Sequence, residues 1–265
     1  MKMFSEWDSA ARLRRTQIEQ GKDLTFSKVF VPLYIDLISK LCPESVIEVG
    51  IGTGHLALEL YQRCPLRYVG IEPSKGMFDE ATGVLRNASV EIVLSTLENY
   101  SGSEKFQLLI SHMCLHAVAD VDAFCSSVEK ALAIDGAYLM AIPHPAFFNS
   151  YKKVIAENSY SYMTPRSAVI DFSITSDPTG VIKEVPYFHR PLSSYFQSLA
   201  KVGLAMTFLN EVFPSDPVQA LYGTPWLTPR YLLMGGSRHS ESLSRDGNSV
   251  AGRLLQCEIG CLGED

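Results

Sequence analysis

The feature of this sequence that most limits its possible folds is an apolar run that ends in three closely spaced glycines. Residues 45–64 read SVIEVGIGTGHLALELYQRC, in which Gly50, Gly52 and Gly54 separate the apolar run from a segment with helical periodicity. Glycine accepts a positive φ and lets a ligand approach the backbone. Three glycines within five residues exceed what one tight turn requires. The pattern therefore predicts a strand, a ligand-binding turn and a helix.

Strand-like and helix-like segments continue to alternate after this turn. Further strands are predicted near residues 67–74, 90–100, 105–118 and 137–148, with helices near 75–87 and 120–136. This alternation predicts βαβ units, and hence an α/β fold with a doubly wound, mostly parallel sheet and helices on both faces. A sheet of this kind binds its ligands at the carboxyl ends of the strands.

The chain divides by composition into five segments around the predicted sheet. These are an N-terminal helical cap (1–40), a cofactor-binding core (41–146), an inserted lid (147–188), the C-terminal part of the core sheet (189–236) and a polar tail (237–265). The lid is rich in Ser, Tyr, Thr and Pro, and strands of its own are expected near 167–174 and 180–188. The tail is rich in Ser and Gly, which predicts a loosely held segment.

Two classes of nucleotide cofactor use a glycine-rich turn at this place in a fold. A dinucleotide-binding turn has the spacing GxGxxG, and its third glycine allows the helix to pack closely on the strand. Here the spacing is GxGxG, from Gly50 to Gly54, and His55 stands where the third glycine of a dinucleotide site would be. The spacing disfavours an NAD(P)-dependent oxidoreductase, which we keep as an alternative function.

The segment VIEVGIGTGHLAL resembles motif I of the class I S-adenosylmethionine-dependent methyltransferases, with Glu48 in the acidic position before the glycines. The resemblance covers residues 45 to about 145 and extends more loosely to 204. It implies a Rossmann-like core, S-adenosylmethionine as cofactor, and in-line methyl transfer to an O, N or S atom of a small molecule. A methyltransferase-like module that binds without catalysis is a further alternative, which the intact glycines and Glu72 disfavour.

The resemblance also implies which residues bind the cofactor. Glu72 ends the second predicted strand, where an acidic side chain accepts hydrogen bonds from ribose hydroxyls, although a dinucleotide site would use it in the same way. The segment after the third strand lines the adenine, and Ser111 at the end of the fourth strand faces the methyl donor. The full predicted set is Glu48, Gly50, Gly52, Gly54, Glu72, Pro73, Ser95, Thr96, Leu97 and Ser111.

The acceptor side of the predicted site holds side chains suited to proton removal. His112 ends the fourth strand and His144 follows the fifth, and histidine titrates near neutral pH. His144 could equally be a packed loop residue, and Arg190 could hold an acceptor carboxylate or anchor the lid. We predict His112 and His144 as catalytic residues, and His189, Arg190, Phe147 and Tyr160 as substrate-binding residues. Acidic residues do not cluster at the sheet edge, so we predict no metal site.

Charge and composition narrow the expected partners and location. The net charge of −6 disfavours a nucleic-acid acceptor. The N-terminal residues MKMFSEWDSAARLRR lack the apolar stretch of a signal peptide, and no apolar run is long enough to cross a bilayer. The six cysteines form no CxxC pair, which predicts free thiols in a reducing compartment. We expect a soluble, cytoplasmic protein that acts on a small molecule without a nucleic-acid or membrane partner; the oligomeric state is open.

Overall fold

A computed structural model describes residues 4–64, 66–174, 176–223, 225–238 and 248–257. Its strands are β1 (Ser45–Val49), β2 (Arg67–Glu72), β3 (Val90–Leu94), β4 (Phe106–His112), β5 (Leu132–Pro143), β6 (Arg166–Ile174), β7 (Asp177–His189), β8 (Leu204–Val212) and β9 (Tyr231–Arg238). Its helices are α1 (Ser5–Glu19), α2 (Val31–Leu41), α3 (His55–Arg63), α4 (Lys75–Val84), α5 (Val121–Ala131), α6 (Phe148–Lys152), α7 (Leu192–Lys201), α8 (Asp216–Gln219) and α9 (Val250–Gln256). A π-helical turn, Phe26–Phe30, leads directly into α2.

The strands of the core form one sheet in the order β3-β2-β1-β4-β5-β9-β8. Strands β1 to β5 run parallel, and β9 pairs antiparallel with both β5 and β8. Strands β6 and β7 form a separate antiparallel hairpin. The predicted mostly parallel, doubly wound sheet is confirmed. The strand order reverses between β1 and β4, so their carboxyl ends flank the crevice in which such sheets bind ligands.

The sheet is buried on both faces because its central strands are apolar at consecutive positions. Val46 and Ile47 are neighbours in β1 and belong to clusters on opposite faces, and both are fully buried. One face packs against α2, α3 and α9, and the other packs against α5 and α7. Continuous apolar strands of this kind are typical of a parallel sheet with helices on both sides.

The N-terminal helix α1 joins the core to the hairpin of the lid. Asp8 Oδ1 accepts hydrogen bonds from Ser74 Oγ at 2.7 Å and from the backbone N–H of Gly76 at 2.9 Å, at the start of α4. Near the other end of α1, Gln17 Nε2 donates to Asp177 Oδ2 at 3.1 Å, at the start of β7. The helical cap therefore contacts both the cofactor half and the acceptor half of the predicted site.

The structure corrects one predicted helix end and extends the lid. The helix predicted to reach residue 136 ends at Ala131, because Leu132 pairs with Phe106 and begins β5. The lid predicted over 147–188 contains α6 and the β6–β7 hairpin, whose second strand continues to His189. The strands expected within the lid are therefore present.

The loosely held tail predicted from residue 237 is wrong for its described part. Strand β9 continues to Arg238, and α9 buries Val250 and Leu254 in the core. Arg253 Nε also donates to the carbonyl of Leu41 at 2.7 Å, at the end of α2. The helix is retained because its apolar face covers the sheet, which the polar composition of its surroundings concealed. Residues 239–247 and 258–265 lie outside the described residues.

Within the described ranges, no helix has both the length and the apolar character needed to cross a membrane. The same part of the chain contains no group of three or more His, Cys, Asp or Glu side chains that could hold a metal ion. Its cysteines, Cys42, Cys64, Cys114, Cys125 and Cys257, are free thiols. Cys261 lies outside the described residues.

Candidate functional site

The glycine turn after β1 follows the predicted geometry. Gly50, Gly52 and Gly54 have φ values of 73°, 57° and 79°, a region that side-chain-bearing residues rarely adopt. A Cβ atom at Gly50 would lie 2.8 Å from Cys114 Sγ, and one at Gly54 would lie 2.9 Å from Leu85 Cδ1. A Cβ atom at Gly52 would meet nothing within 4 Å. Gly50 and Gly54 therefore allow the turn to pack closely on neighbouring elements. At Gly52 the space beside the backbone is open.

Glu72 at the end of β2 holds this turn in place. Its Oε2 accepts a hydrogen bond from the Gly52 N–H at 2.8 Å, and its Oε1 accepts one from the Ser74 N–H at 2.9 Å. The side chain is 6% exposed, and burial raises the pKa of Glu72 to about 7 although the two N–H groups oppose the shift. Each carboxylate oxygen has a second lone pair, so the group retains the capacity to accept ligand hydroxyls.

Glu48 in β1 lies apart from the open side of the turn. Its Oε2 accepts a hydrogen bond of 2.6 Å from the Tyr68 hydroxyl, and the side chain is 2% exposed. Burial raises the pKa of Glu48 to about 8, against the effect of the Tyr68 hydrogen bond. The cofactor role of Glu48 stays a prediction, and the contact that the structure gives its carboxyl group is one within the core.

We expect Glu48→Gln to reduce the loss of stability at alkaline pH. The folded-state pKa of Glu48 is raised, so its contribution to stability is complete below the unfolded value of 4.5 and is lost as pH rises through about 8. Between pH 6.5 and 8 this loss amounts to about 2 kcal/mol, at about 1.4 kcal/mol per pKa unit. Urea unfolding at several pH values measures this effect. The free energy of unfolding of the variant, relative to that of the wild type, should rise by that amount over this pH range.

The matched control for this experiment is Glu91→Gln. Glu91 lies in β3, its side chain is half exposed, and it pairs with Arg67 at 2.7 Å. Its removal leaves the buried contact between Glu48 and Tyr68 intact, so this variant should not show the gain in stability expected of Glu48→Gln. A Glu48→Gln difference that stayed constant from pH 6.5 to 8 would contradict the buried titration.

The residues predicted to line the adenine lie beside Glu72. The backbone N–H of Ser95 donates to the carbonyl of Glu72 at 3.1 Å, and Ser95 Oγ donates to the carbonyl of Thr96 at 2.9 Å. Leu97 is 5% exposed, and Pro73 is half-buried next to Glu72. The structure thus brings the ends of β2 and β3 together as predicted, while the contacts of these residues with a cofactor stay predictions.

The end of β4 supplies polar atoms without partners. Among the described residues, neither the buried Ser111 Oγ nor His112 Nδ1 has a hydrogen-bond partner. The His112 ring is surrounded by the rings of Phe26, Phe30 and Tyr34, at centroid distances of 6.0, 4.6 and 5.6 Å. Burial lowers the pKa of His112 to about 4. The imidazole is therefore neutral at pH 7 and can accept a hydrogen bond.

His116, which follows on a short helical turn, shares this buried environment. Burial, followed by the charges of His112 and Arg190, lowers the pKa of His116 to about 3. Its ring centroid lies 6.1 Å from that of Tyr187 in the lid hairpin. The contact favours a structural role for His116 between the sheet edge and the lid.

The second predicted catalytic histidine has both ring nitrogens engaged. His144 Nδ1 accepts a hydrogen bond from the Ala146 N–H at 3.2 Å, and Nε2 lies 3.1 Å from Glu211 Oε1. The ring joins the turn after β5 to the end of β8, and burial lowers the pKa of His144. Its role as a base stays a prediction, and the geometry favours the packed loop residue that the sequence left open.

The residues predicted to bind the acceptor pack mainly within the lid. His189 Nε2 lies 2.9 Å from the carbonyl oxygen of Tyr162, and its ring centroid lies 5.2 Å from that of Tyr160. The Phe147 ring packs on His144 at 4.6 Å. Their substrate roles stay predictions.

The contacts of Arg190 match the second of its two predicted roles, in which it anchors the lid. Its Nη2 atom donates to the carbonyls of Val118 and Ala119, both at 2.7 Å. These carbonyls belong to the loop between β4 and α5, so the guanidinium ties the end of the lid to the sheet. A role for Arg190 in holding an acceptor carboxylate stays a prediction.

Another arginine, Arg230, was not among the site residues predicted from the sequence. Arg230 immediately precedes β9, and its guanidinium carbon lies 4.0 Å from the ring centroid of Tyr151 and 4.5 Å from that of Trp226. The only local signal was an arginine at the start of a strand, which is common. The rings come from residues 79 and 4 positions away in the chain, so no spacing rule connects the three.

His55, in place of a third glycine, lies at the start of α3. Its Nδ1 is 2.9 Å from Thr53 Oγ1, and its Nε2 is 3.9 Å from Glu19 at the end of α1. With Phe26 and Ile35, it lines a cleft of about 640 Å³ formed by residues of α1, the π-helical turn, α2 and α3. The imidazole packs the cap against α3, where a dinucleotide-binding turn would have a glycine.

Comparison with known proteins agrees with this geometry. A family model described as a methyltransferase domain matches residues 46–136, from β1 to the start of β5. This third of the chain therefore matches a methyltransferase domain. The match begins at the strand before the glycine turn and includes Glu72, Ser111 and His112. The predicted family and its cofactor, S-adenosylmethionine, are confirmed.

The relatives of the methyltransferase domain support the same assignment. The malonyl-[acyl-carrier protein] O-methyltransferase of Acetivibrio thermocellus is 27% identical over 133 residues, 50% of this chain and 44% of that protein. The chain thus spans less than half the length of this curated relative. An S-adenosylmethionine-dependent methyltransferase structure from Mesorhizobium loti has a TM-score of 0.54 at 18% identity, over 72% of this chain and 89% of its own. One from Clostridium acetobutylicum has a TM-score of 0.59 at 13% identity, over 85% and 99%.

The residues of the methyltransferase domain fit S-adenosylmethionine. Gly52 leaves open space beside its backbone, and Glu72 borders that space with a buried carboxyl group. On the other side, Cys114 packs against Gly50, and the buried Ser111 Oγ at the end of the adjacent strand β4 has no hydrogen-bond partner among the described residues. Polar atoms without partners in a buried cleft are expected where a polar ligand completes the hydrogen bonding.

Proposed function

We propose that this chain transfers the methyl group of S-adenosylmethionine to an O, N or S atom of a small molecule. The observation that carries the proposal is the open backbone at Gly52, whose N–H donates to the buried Glu72. The unpartnered polar atoms of Ser111 and His112 lie at the end of β4, the strand next to β1. The name of the Acetivibrio relative supports oxygen as the accepting atom. When bound, the cofactor supplies an electrophilic sulfonium methyl group.

In this proposal, residues at the ends of different strands bind different parts of the cofactor. Glu72 accepts hydrogen bonds from the ribose hydroxyls, and Ser95 to Leu97 line the adenine. The glycine turn lets the backbone approach the methionine portion, with Ser111 facing the donor. Orientation of two reactants in this way can lower a barrier by about 7–11 kcal/mol.

We expect His112 to position the acceptor rather than to remove its proton. With a pKa near 4, its ring is neutral at physiological pH and is a weak base. It can accept a hydrogen bond from an acceptor hydroxyl or amine, but it does not favour full proton removal. This property favours acceptors that are already nucleophilic, such as a carboxylate or a phenol.

The cap and the lid would exclude water from the acceptor. Phe26 and Phe30 of the π-helical turn contact the His112 ring, and Gln17 of α1 donates to Asp177 of the lid hairpin. The two phenylalanine rings cover the His112 side chain at the end of β4. The small-molecule acceptor, the absence of a nucleic-acid or membrane partner, and a cytoplasmic location remain parts of this proposal.

Isothermal titration calorimetry with S-adenosylhomocysteine and NADH tests the proposal. We expect a micromolar Kd for S-adenosylhomocysteine and no heat of binding for NADH. Binding of NADH alone would overturn the proposal and restore the oxidoreductase alternative. Binding of neither ligand would favour a module without catalysis.

A further inference from the structure

Arg230 is fixed at the edge of the sheet where the methyl acceptor is expected. The next residue, Tyr231, begins β9 and pairs with Pro143 at the carboxyl end of β5 and with Val212 at the end of β8. The carbonyl of Arg230 accepts a hydrogen bond of 2.8 Å from the N–H of His144. The backbone position is therefore set by strand pairing on both sides.

The guanidinium of Arg230 is held between two aromatic rings. Its carbon atom lies 4.0 Å from the ring centroid of Tyr151 in α6 and 4.5 Å from that of Trp226, and the residue is 7% exposed. Stacking on Tyr151 and Trp226 engages the faces of the planar group. The N–H donors lie in the plane and point outward from its edge, so stacking leaves them available.

Within the described part of the chain, the Arg230 side chain has these two ring contacts and forms neither an ion pair nor a hydrogen bond. The nearby carboxylates are engaged elsewhere. Asp23 accepts from Arg14 at 2.7 Å, and Glu211 lies 3.1 Å from His144. A largely buried cation without a counter-charge is unfavourable, because it loses most of its hydration without regaining an opposite charge. A ligand carboxylate would satisfy the edge donors with two charge-assisted hydrogen bonds.

A continuous wall of rings connects this arginine with the methyl-transfer site. Trp226 contacts Tyr231 at a centroid distance of 5.7 Å, Tyr231 contacts Phe30 at 5.3 Å, and Phe30 contacts His112 at 4.6 Å. The wall offers apolar surface between a cation at one end and His112 at the other. A ligand that fits both ends has a carboxylate and an apolar or aromatic body.

We propose that Arg230 binds a carboxylate of the methyl acceptor, and that the acceptor is an apolar or aromatic carboxylic acid. The proposal rests on the proposed methyl-transfer function, since it places the acid beside the donor site. It assigns to Arg230 the role that the sequence analysis considered for Arg190. Arg190 Nη2 donates to two backbone carbonyls, while its buried Nη1 has no partner among the described residues.

Matched acids and neutral amides test this assignment on the protein saturated with S-adenosylhomocysteine. The probe pairs are acetate with acetamide, phenylacetate with phenylacetamide, and octanoate with octanamide. Trp7 and Trp226 are the two tryptophans of the chain, so the variant Trp7→Phe leaves Trp226 to report binding by fluorescence. For the best pair we expect the acid to bind about 10-fold or more tightly than its amide, since the pair differs by a charge-assisted interaction.

Arg230→Gln should abolish the preference for acids, and Arg230→Lys should retain part of it. Arg166→Gln is the control, because Arg166 is an exposed arginine at the start of β6. We expect the Kd for S-adenosylhomocysteine to stay unchanged in all three variants. Equal binding of acids and amides by the wild type, or a preference that survives Arg230→Gln, would overturn the assignment.

The two proposals fail in distinguishable ways. Absence of S-adenosylhomocysteine binding in the wild type would contradict the methyl-transfer function itself. Normal cofactor binding without a preference for acids would contradict only the role of Arg230. If Arg230→Gln does not fold, Arg230→Lys decides the question, because a wild-type preference for acids that is undiminished in this variant would overturn the assignment.

Discussion

Glu72→Ala is expected to weaken binding of S-adenosylhomocysteine by about 100-fold or more, which corresponds to about 3 kcal/mol. The change removes the predicted hydrogen bonds to the ribose, and it also removes the acceptor of the Gly52 and Ser74 N–H groups. The glycine turn would lose its tie to the start of α4, so the backbone facing the ligand would no longer be preorganised. Titration calorimetry on the purified variant measures the effect.

Two controls separate a binding effect from a loss of the fold. Glu91→Gln removes an exposed carboxylate from the neighbouring strand β3 and should leave the Kd unchanged. Glu72→Gln retains a carbonyl oxygen that can accept one of the two N–H groups, so its Kd should lie between those of the wild type and the alanine variant. Wild-type affinity in a folded Glu72→Ala protein would show that this carboxyl group does not hold the cofactor.

Gly76→Ala is expected to lower the free energy of unfolding by about 2 kcal/mol, the typical effect of overpacking. Alanine would ordinarily stabilise a helix by about 1 kcal/mol relative to glycine. Here the added Cβ atom would lie 2.5 Å from the carbonyl oxygen of Asp8 and 2.7 Å from its Cα atom. Both are backbone atoms that cannot rotate away, so α1 must move from α4. Urea unfolding measures the loss.

Gly83→Ala in the same helix is the matched control. Its added Cβ atom would lie 3.2 Å from Arg15 Nη1, at the end of a flexible side chain that can move aside. This variant should therefore be as stable as the wild type or slightly more stable. If Gly76→Ala gained stability like Gly83→Ala, the close packing of α1 on α4 would be contradicted.

Much of the cofactor half of the site could be predicted from the sequence, because its signals are local. The spacing of Gly50, Gly52 and Gly54 implies positive φ in a turn between strand and helix, and the structure has all three. Glu72 was placed at a strand end, and alternation along the chain placed that end beside the turn. Strands joined by short crossovers in a parallel sheet bring such ends to one edge.

The hydrogen bond from Gly52 to Glu72 could not be predicted, because strand-end positions do not determine side-chain rotamers. Nor did the pattern around Glu48 reveal that its carboxyl group contacts Tyr68 within the core. Both features depend on which way a side chain turns once the sheet has formed. Periodicity places a residue on a face but does not choose its partner.

By itself the sequence determined the parallel core, the glycine turn and the acid at the end of β2, since neighbouring residues encode each of them. Only the tertiary structure decided the acceptor side. Strand β9 enters antiparallel between β5 and β8, which places Arg230 beside His144 and Glu211 near the same edge. The lid then brings Tyr151 onto the guanidinium. These contacts join distant parts of the chain. They stabilise the protein only once the strand order and the lid have formed, so no local pattern of residues could have specified them.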